Sequence, residues 1–157
     1  MKIVMASDFS GFLLKETVRK HLTASGHEIT DVGQTKAEDK LSYVDAASAL
    51  AKEIQAGRFR KGLLFCGTGA GVSLVANKFK GVYCVPCESI FTASNCACIN
   101  DANVISMGIN VVGPMNACRI AEAWLPLEFC QGFDPDRKAW LAAGLEKLKK
   151  VESENLK

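Results

Sequence analysis

Residues 63–72 read Leu-Leu-Phe-Cys-Gly-Thr-Gly-Ala-Gly-Val. Leu63, Leu64 and Phe65 have the continuous apolar character of a buried strand. Cys66 follows, then glycines at alternate positions, Gly67, Gly69 and Gly71, and then a helical pattern from Val72 onward. A glycine-rich turn between a strand and a helix presents backbone N–H groups on one side. Such a turn suits an anion: a phosphate, a carboxylate, or an oxyanion that forms during reaction. Cys66, at the junction of strand and turn, directs its sulfur at whatever those amides hold. The plainer reading is a tight turn preceded by a buried cysteine. The stretch matches neither the Walker A pattern nor the dinucleotide fingerprint, so common nucleotide motifs do not account for it.

The elements that must position this stretch alternate. Ile3–Ala6 is an apolar run of the kind buried on both faces of a parallel sheet. Ser7-Asp8-Phe9-Ser10-Gly11 is a turn. Leu13, Leu14, Val18 and Leu22 recur at helical spacing up to Ser25-Gly26, a helix stop signal. Strands are expected at 27–32, 62–66, 82–85 and 103–107. Helices are expected at 43–56, from the glycine turn to about 78, at 89–99, 114–124 and roughly 135–150, with a charged tail over 149–157 that frays. Strands alternating with helices through short connections imply parallel strands and right-handed crossovers. The fold class is therefore α/β: one domain with a doubly wound, five-stranded parallel sheet and helices on both faces, a Rossmann-like three-layer sandwich. Ligands of such sheets bind beyond the carboxyl ends of the strands, where Asp8 and Cys66 close strands one and three. Asp8 is read either as a site residue or as an Asx-turn acceptor.

Composition narrows the function. The chain has 157 residues and a formal charge of +2 from 19 basic and 17 acidic residues, which gives no support to nucleic-acid or membrane-surface binding. No segment approaches the ~20 apolar residues of a membrane span, and the first apolar run is too short for a secretory signal, so the expected compartment is the cytoplasm. Seven cysteines are present, an odd number. Cys84-Val-Pro-Cys87 has C-x-x-C spacing, but Cys96 and Cys98 do not supply the second pair of a zinc site. Most of the seven read as small buried hydrophobes.

The chain resembles the ribose-5-phosphate isomerase type B family, which also holds the galactose-6-phosphate isomerase subunits. The resemblance rests on Ser7-Asp8-x-x-Gly11, Asp31-Val32-Gly33, Tyr43-x-Asp45, Cys66-Gly67-Thr68-Gly69-x-Gly71, Ala76-Asn77-Lys78, Asn100-Asp101-Ala102-Asn103-Val104, Trp124-Leu125 and Arg137. It implies a metal-free and cofactor-free aldose–ketose isomerase acting on a small sugar or sugar phosphate. It also implies a homodimer or homotetramer with active sites between subunits. The Asn100–Asn103 segment would then face the cysteine loop of a partner, and the apolar Trp124, Phe129 and Trp140 late in the chain would suit such contacts. By resemblance Cys66 is the base that forms a cis-enediolate, Thr68 and Asp8 act with it, and Gly67, Gly69, Ala70 and Gly71 hold the developing oxyanion. Phe9, Tyr43, Ile99, Asn100, Asn110 and Arg137 would line the substrate.

Several positions depart from the family pattern. Phe9 and Ile99 stand where histidines are usual, the latter being the ring-opening acid. Asn110 stands where an arginine is usual, and Gln131-Gly132-Phe133-Asp134 replaces Gly-Gly-Arg-His. The proton-transfer loop is intact while the ring-opening and phosphate-holding residues are changed. The expectation is an isomerase whose substrate is not ribose 5-phosphate, such as an open-chain tetrose or tetrulose phosphate. The alternative is a non-catalytic sugar-phosphate binding or regulatory protein of the same fold.

Overall fold

A computed structural model describes residues 1–156. Five strands form one sheet: β1 (Lys2–Ser7), β2 (Glu28–Asp31), β3 (Gly62–Cys66), β4 (Cys84–Pro86) and β5 (Val104–Gly108). Their order is β2-β1-β3-β5-β4, and every pairing is parallel. The helices are α1 (Phe12–Ala24), α2 (Tyr43–Gln55), α3 (Ala70–Ala76), α4 (Ile90–Asn100), α5 (Pro114–Trp124) and α6 (Pro135–Asn155).

Side-chain alternation along the strands divides the core in two. Ile3, Met5, Leu63, Phe65, Ile105 and Met107 face the layer of α1, α4 and α5. Val4, Ala6, Leu64, Cys66 and Val104 face α2 and α3. Small residues on α2, Ala46, Ala47 and Ala51, let that helix lie close to the sheet. The apolar runs in the sequence are thus strands covered on both sides, as expected of a doubly wound sheet.

The site is fixed by where the chain reverses across the sheet. From β1 it winds outward to β2, then crosses to β3 on the other side of β1. The crevice of a doubly wound sheet opens at such a switch point. Ser7 pairs in register with Phe65, so the ends of β1 and β3 lie side by side, and Asp8 and Cys66 meet there.

Most boundaries shift by a residue or so from the sequence reading, and three of the differences have a visible cause. β4 is shorter and shifted, running over Cys84–Pro86, because Asn77 holds both the Cys84 N–H and its carbonyl at 2.8 Å and starts the strand there. α3 stops at Ala76, with Asn77 committed to that link. α6 continues to Asn155 rather than fraying from 149. Glu152 accepts from the Gly81 N–H at 2.7 Å and from Tyr83 Oη at 3.4 Å, which ties the last turns to the body.

Candidate active site

Cys66 is 5% exposed. The Gly69 N–H donates to that sulfur at 3.1 Å. Gly69 can turn back this way because its φ is +82°, a left-handed conformation that costs glycine little. Ser106 of β5 donates to the Gly69 carbonyl at 2.8 Å and fixes the turn from below. At Gly108 a Cβ would lie 2.3 Å from the Thr68 carbonyl carbon, so only glycine lets the loop settle on the end of β5.

The loop leaves amides available. The Ala70 N–H is taken by Thr68 Oγ1 at 3.3 Å. Among the described residues, the Gly67, Thr68 and Gly71 N–H groups have no acceptor in the protein. Thr68 and Ala70 are exposed, while Gly67 and Gly71 are partly so. A thiol thus stands beside a set of unpaired donors, an arrangement that can hold an oxyanion forming next to it.

Asp8 is 5% exposed. Its Oδ1 accepts from Ser10 Oγ at 2.7 Å and from the Gly11 N–H at 2.9 Å. The Asx-turn reading is correct as local structure, and it leaves Oδ2 outside these bonds at the mouth of the switch point. The Asp8 N–H donates to the Phe65 carbonyl, locking it to the strand that ends in Cys66. A Cβ at Gly67 would lie 3.5 Å from both Ser10 Oγ and Asn110 Nδ2, so these two side chains flank the loop. The Asn110 N–H donates to the Gly67 carbonyl at 3.0 Å. Tyr43, first residue of α2, lays its ring against Gly71, 3.1 Å from where a Cβ would stand. Phe9 is 60% exposed, and its N–H donates to the Leu41 carbonyl.

Asp8, Phe9, Tyr43, Cys66, Gly67, Thr68, Gly69, Ala70, Gly71 and Asn110 therefore share one end of the sheet. Ile99, Asn100 and Arg137 do not join them within the chain. α4 starts at the carboxyl ends of the strands and delivers Ile99 and Asn100 toward their amino ends, where the Gly62 N–H bonds the Asn103 carbonyl. That end is roughly 13 Å from Cys66, the length of β3. The two residues line a largely apolar groove of about 240 Å³ with Trp140, Leu141, Gly144, Leu145 and Leu148 of α6. Arg137 lies on the same stretch of α6, its guanidinium carbon 4.4 Å from the Trp140 ring centre and 6.0 Å from that of Phe133. Trp124 is 0% exposed and belongs to the core, correcting its expected place in a subunit contact; Trp140 is 64% exposed.

Two supporting residues were missed in the sequence. Ser10 was legible as the third member of an Asp-x-Ser turn. Ser106 had no local signal, since its role depends on the pairing of β5 with β3. Among the other cysteines, burial pushes Cys84 up to about 12 and raises Cys98 and Cys118, so these three thiols stay protonated. Cys87 and Cys96 face each other in the core, 3.9 Å apart. Among the described residues, no three His, Cys, Asp or Glu side chains converge as a metal set would.

The family model described as Ribose/Galactose Isomerase matches residues 3–139. Over 152 residues the chain is 40% identical to the 4-deoxy-4-sulfo-D-erythrose isomerase of a Clostridium species, covering 97% of this chain and 96% of that one. It is 38% identical over 131 residues to D-erythrulose-4-phosphate isomerase 2 of Mycolicibacterium smegmatis, covering 82% and 86%. Its fold superposes on ribose-5-phosphate isomerase B of Clostridium thermocellum with a TM-score of 0.89 at 32% identity, covering 98% and 99%. The chain belongs to the ribose/galactose isomerase family. It is a sugar isomerase of the aldose–ketose type, built as the single-domain α/β fold of that family.

Proposed function

We propose that the protein interconverts an aldose and a ketose of four carbons whose far end carries an anionic group, working on the open chain. The observation that carries this reading is the Cys66 thiol set among the unpaired Gly67, Thr68 and Gly71 amides. In the aldose direction Cys66 Sγ removes the proton from the carbon next to the carbonyl. The electron pair forms the enediolate, the loop amides hold its oxygen, and the thiol returns the proton to the former carbonyl carbon. Asp8, with the Ser10 hydroxyl on its Oδ1, moves the proton between the two substrate oxygens. One oxyanion donor is worth roughly 3–4 kcal/mol in the transition state.

Ile99 supports the four-carbon choice. It provides no acid to open a ring, and a tetrose blocked at its terminal carbon needs none. The names of the two tetrose-acting relatives agree with this. A second copy of the chain, bringing Ile99, Asn100 and Arg137 to the Cys66 loop, would complete the site as a homodimer or dimer of dimers. No helix among the described residues is long and apolar enough to cross a membrane. Seven unpaired cysteines suit a reducing compartment, the cytoplasm.

Proton NMR in deuterium oxide tests the reaction. Erythrose 4-phosphate and 4-deoxy-4-sulfoerythrose are incubated with the protein beside ribose 5-phosphate. Deuterium is expected at the carbon next to the carbonyl of a four-carbon sugar, with ribose 5-phosphate slower by at least tenfold. Ligand-induced thermal stabilisation without any exchange would make the protein a binder instead, and robust turnover of ribose 5-phosphate would overturn the substrate.

A further inference from the structure

The head of α6 carries one arginine in an unusual setting. Phe133 and Trp140, four residues before Arg137 and three after it, both approach its guanidinium, so the cation is bracketed by aromatic rings. Ile99 and Asn100 of α4, packed against α6, are uncharged, and Leu141 beside Trp140 is apolar. On its own helix the charges around Arg137 do not add to its own: Asp134, which caps the helix by accepting the Arg137 N–H at 2.9 Å, and Asp136 outnumber Lys138. The neighbouring segments carry acids already matched by bases: Glu128, in the loop before α6, pairs with Arg60 at 2.9 Å, and Asp101, at the end of α4, lies near Lys61 and Arg60. Lys149, further along α6, lies near Asp101.

A phosphate monoester carries nearly two negative charges at neutral pH, and a sulfonate carries one. A single guanidinium whose surround carries no net positive charge matches one charge at most and leaves the second uncompensated. Aromatic faces also hold the guanidinium plane in place, leaving its N–H edge for an oxyanion. Resting on the isomerase reading above, we propose that Phe133 and Trp140 position Arg137 as a single-cation receptor that selects a sulfonate over a phosphate dianion at the end of the sugar. Phe133 and Trp140 are positioning residues, and Arg137 is the group that touches the anion.

Calorimetry of the whole protein tests this without turnover, using two unreactive four-carbon polyols, one ending in a sulfonate and one in a phosphate. At pH 8 the sulfonate is expected to bind about fivefold more tightly, the scale of one unmatched charge near a protein surface. At pH 5, where the phosphate is a monoanion, the gap should close to about twofold or less. Trp140→Ala should weaken the sulfonate about threefold, and Trp140→Phe should restore it. Phe133→Arg should reverse the preference. Equal or tighter phosphate binding at pH 8, no binding of either polyol, or an unchanged Trp140→Ala protein would each overturn the proposal. Failure of the isomerase reading would appear separately, as absence of deuterium exchange into reactive sugars.

Discussion

At the residue scale, the difference between Cys66 and the other cysteines is a matter of surroundings. Cys84 is as buried as Cys66, but it lies inside the sheet and burial drives its titration up to about 12. Cys66 meets the Gly69 N–H and the open side of the loop. Cys66→Ala is therefore expected to lower kcat by about 10²–10⁴ while leaving substrate binding within a few-fold, as for loss of a proton-transfer group. A steady-state assay on a four-carbon substrate measures this, and unchanged kcat would remove the thiol from the mechanism. Ser10→Ala tests Asp8 indirectly. It removes the 2.7 Å hydroxyl bond to Oδ1 and leaves the Gly11 N–H bond in place. With hydrogen bonds to charged groups worth about 1.5–3 kcal/mol, kcat should fall about tenfold with little change in thermal stability. The meeting of Cys66, its glycine loop and Asp8 was legible in sequence because Cys66 and Asp8 stand at the ends of two apolar runs. Ser106 was not, because a donor reaching across a sheet leaves no trace in local spacing.

At the element scale, helix ends decide what is presented where. α4 is capped at its start by Ser89, whose Oγ accepts from the Thr92 N–H, and at its end by Asp101 in a left-handed conformation with φ 55°. That cap sets the direction of the chain into β5 and so the position of Asn103, whose side chain bonds the Tyr83 N–H and the Gly81 carbonyl. Burial raises the Asp101 carboxyl above its ordinary value, with Lys149 partly opposing the shift. A raised carboxylate means that the folded chain holds its proton more tightly than the unfolded one. The benefit is present below the ordinary value of 3.8 and is lost as pH rises through the folded value. Asp101→Asn keeps the left-handed preference and removes the charge. It should raise stability at pH 7 by up to ~0.5 kcal/mol, since solvent screens a half-exposed group. The gain should vanish near pH 3.5, as urea titrations at the two values would show. A gain that persisted at pH 3.5 would point to backbone preference rather than charge. The helix and strand order could be read from apolar periodicity, whereas the end of α6 could not. Its last turns carry Lys149, Lys150 and Glu154, a solvent-like pattern, and are held by Glu152 reaching Gly81 and Tyr83, 71 and 69 positions away in the chain.

At the scale of the molecule, the proposed function divides its site residues between the two ends of the parallel strands. The thiol, loop amides and Asp8 lie at the carboxyl ends of the strands. Asn100, Ile99 and the bracketed Arg137 lie toward the other end, and the span of β3 keeps them apart. No rotamer change or loop movement brings the two together in a chain whose core is packed on both faces, so a shared site requires a second copy. In a closed dimer each copy offers its thiol end to the other's arginine end, and two sites form. Complementation follows from that geometry. Cys66→Ala supplies an intact arginine half, and Arg137→Glu supplies an intact thiol half with a charge that repels the anionic end of the sugar. Each variant alone should be inactive at low substrate. Unfolded together and refolded at equal amounts, they pair at random, about half the dimers are mixed, and one of the two sites in each mixed dimer is whole. Activity should return to about a quarter of that of the unmodified protein. Dilution below the dimer dissociation range should abolish it. Recovery of nothing, with mixed dimers demonstrated by mass spectrometry, would show that each chain works alone and that Arg137 serves some other end.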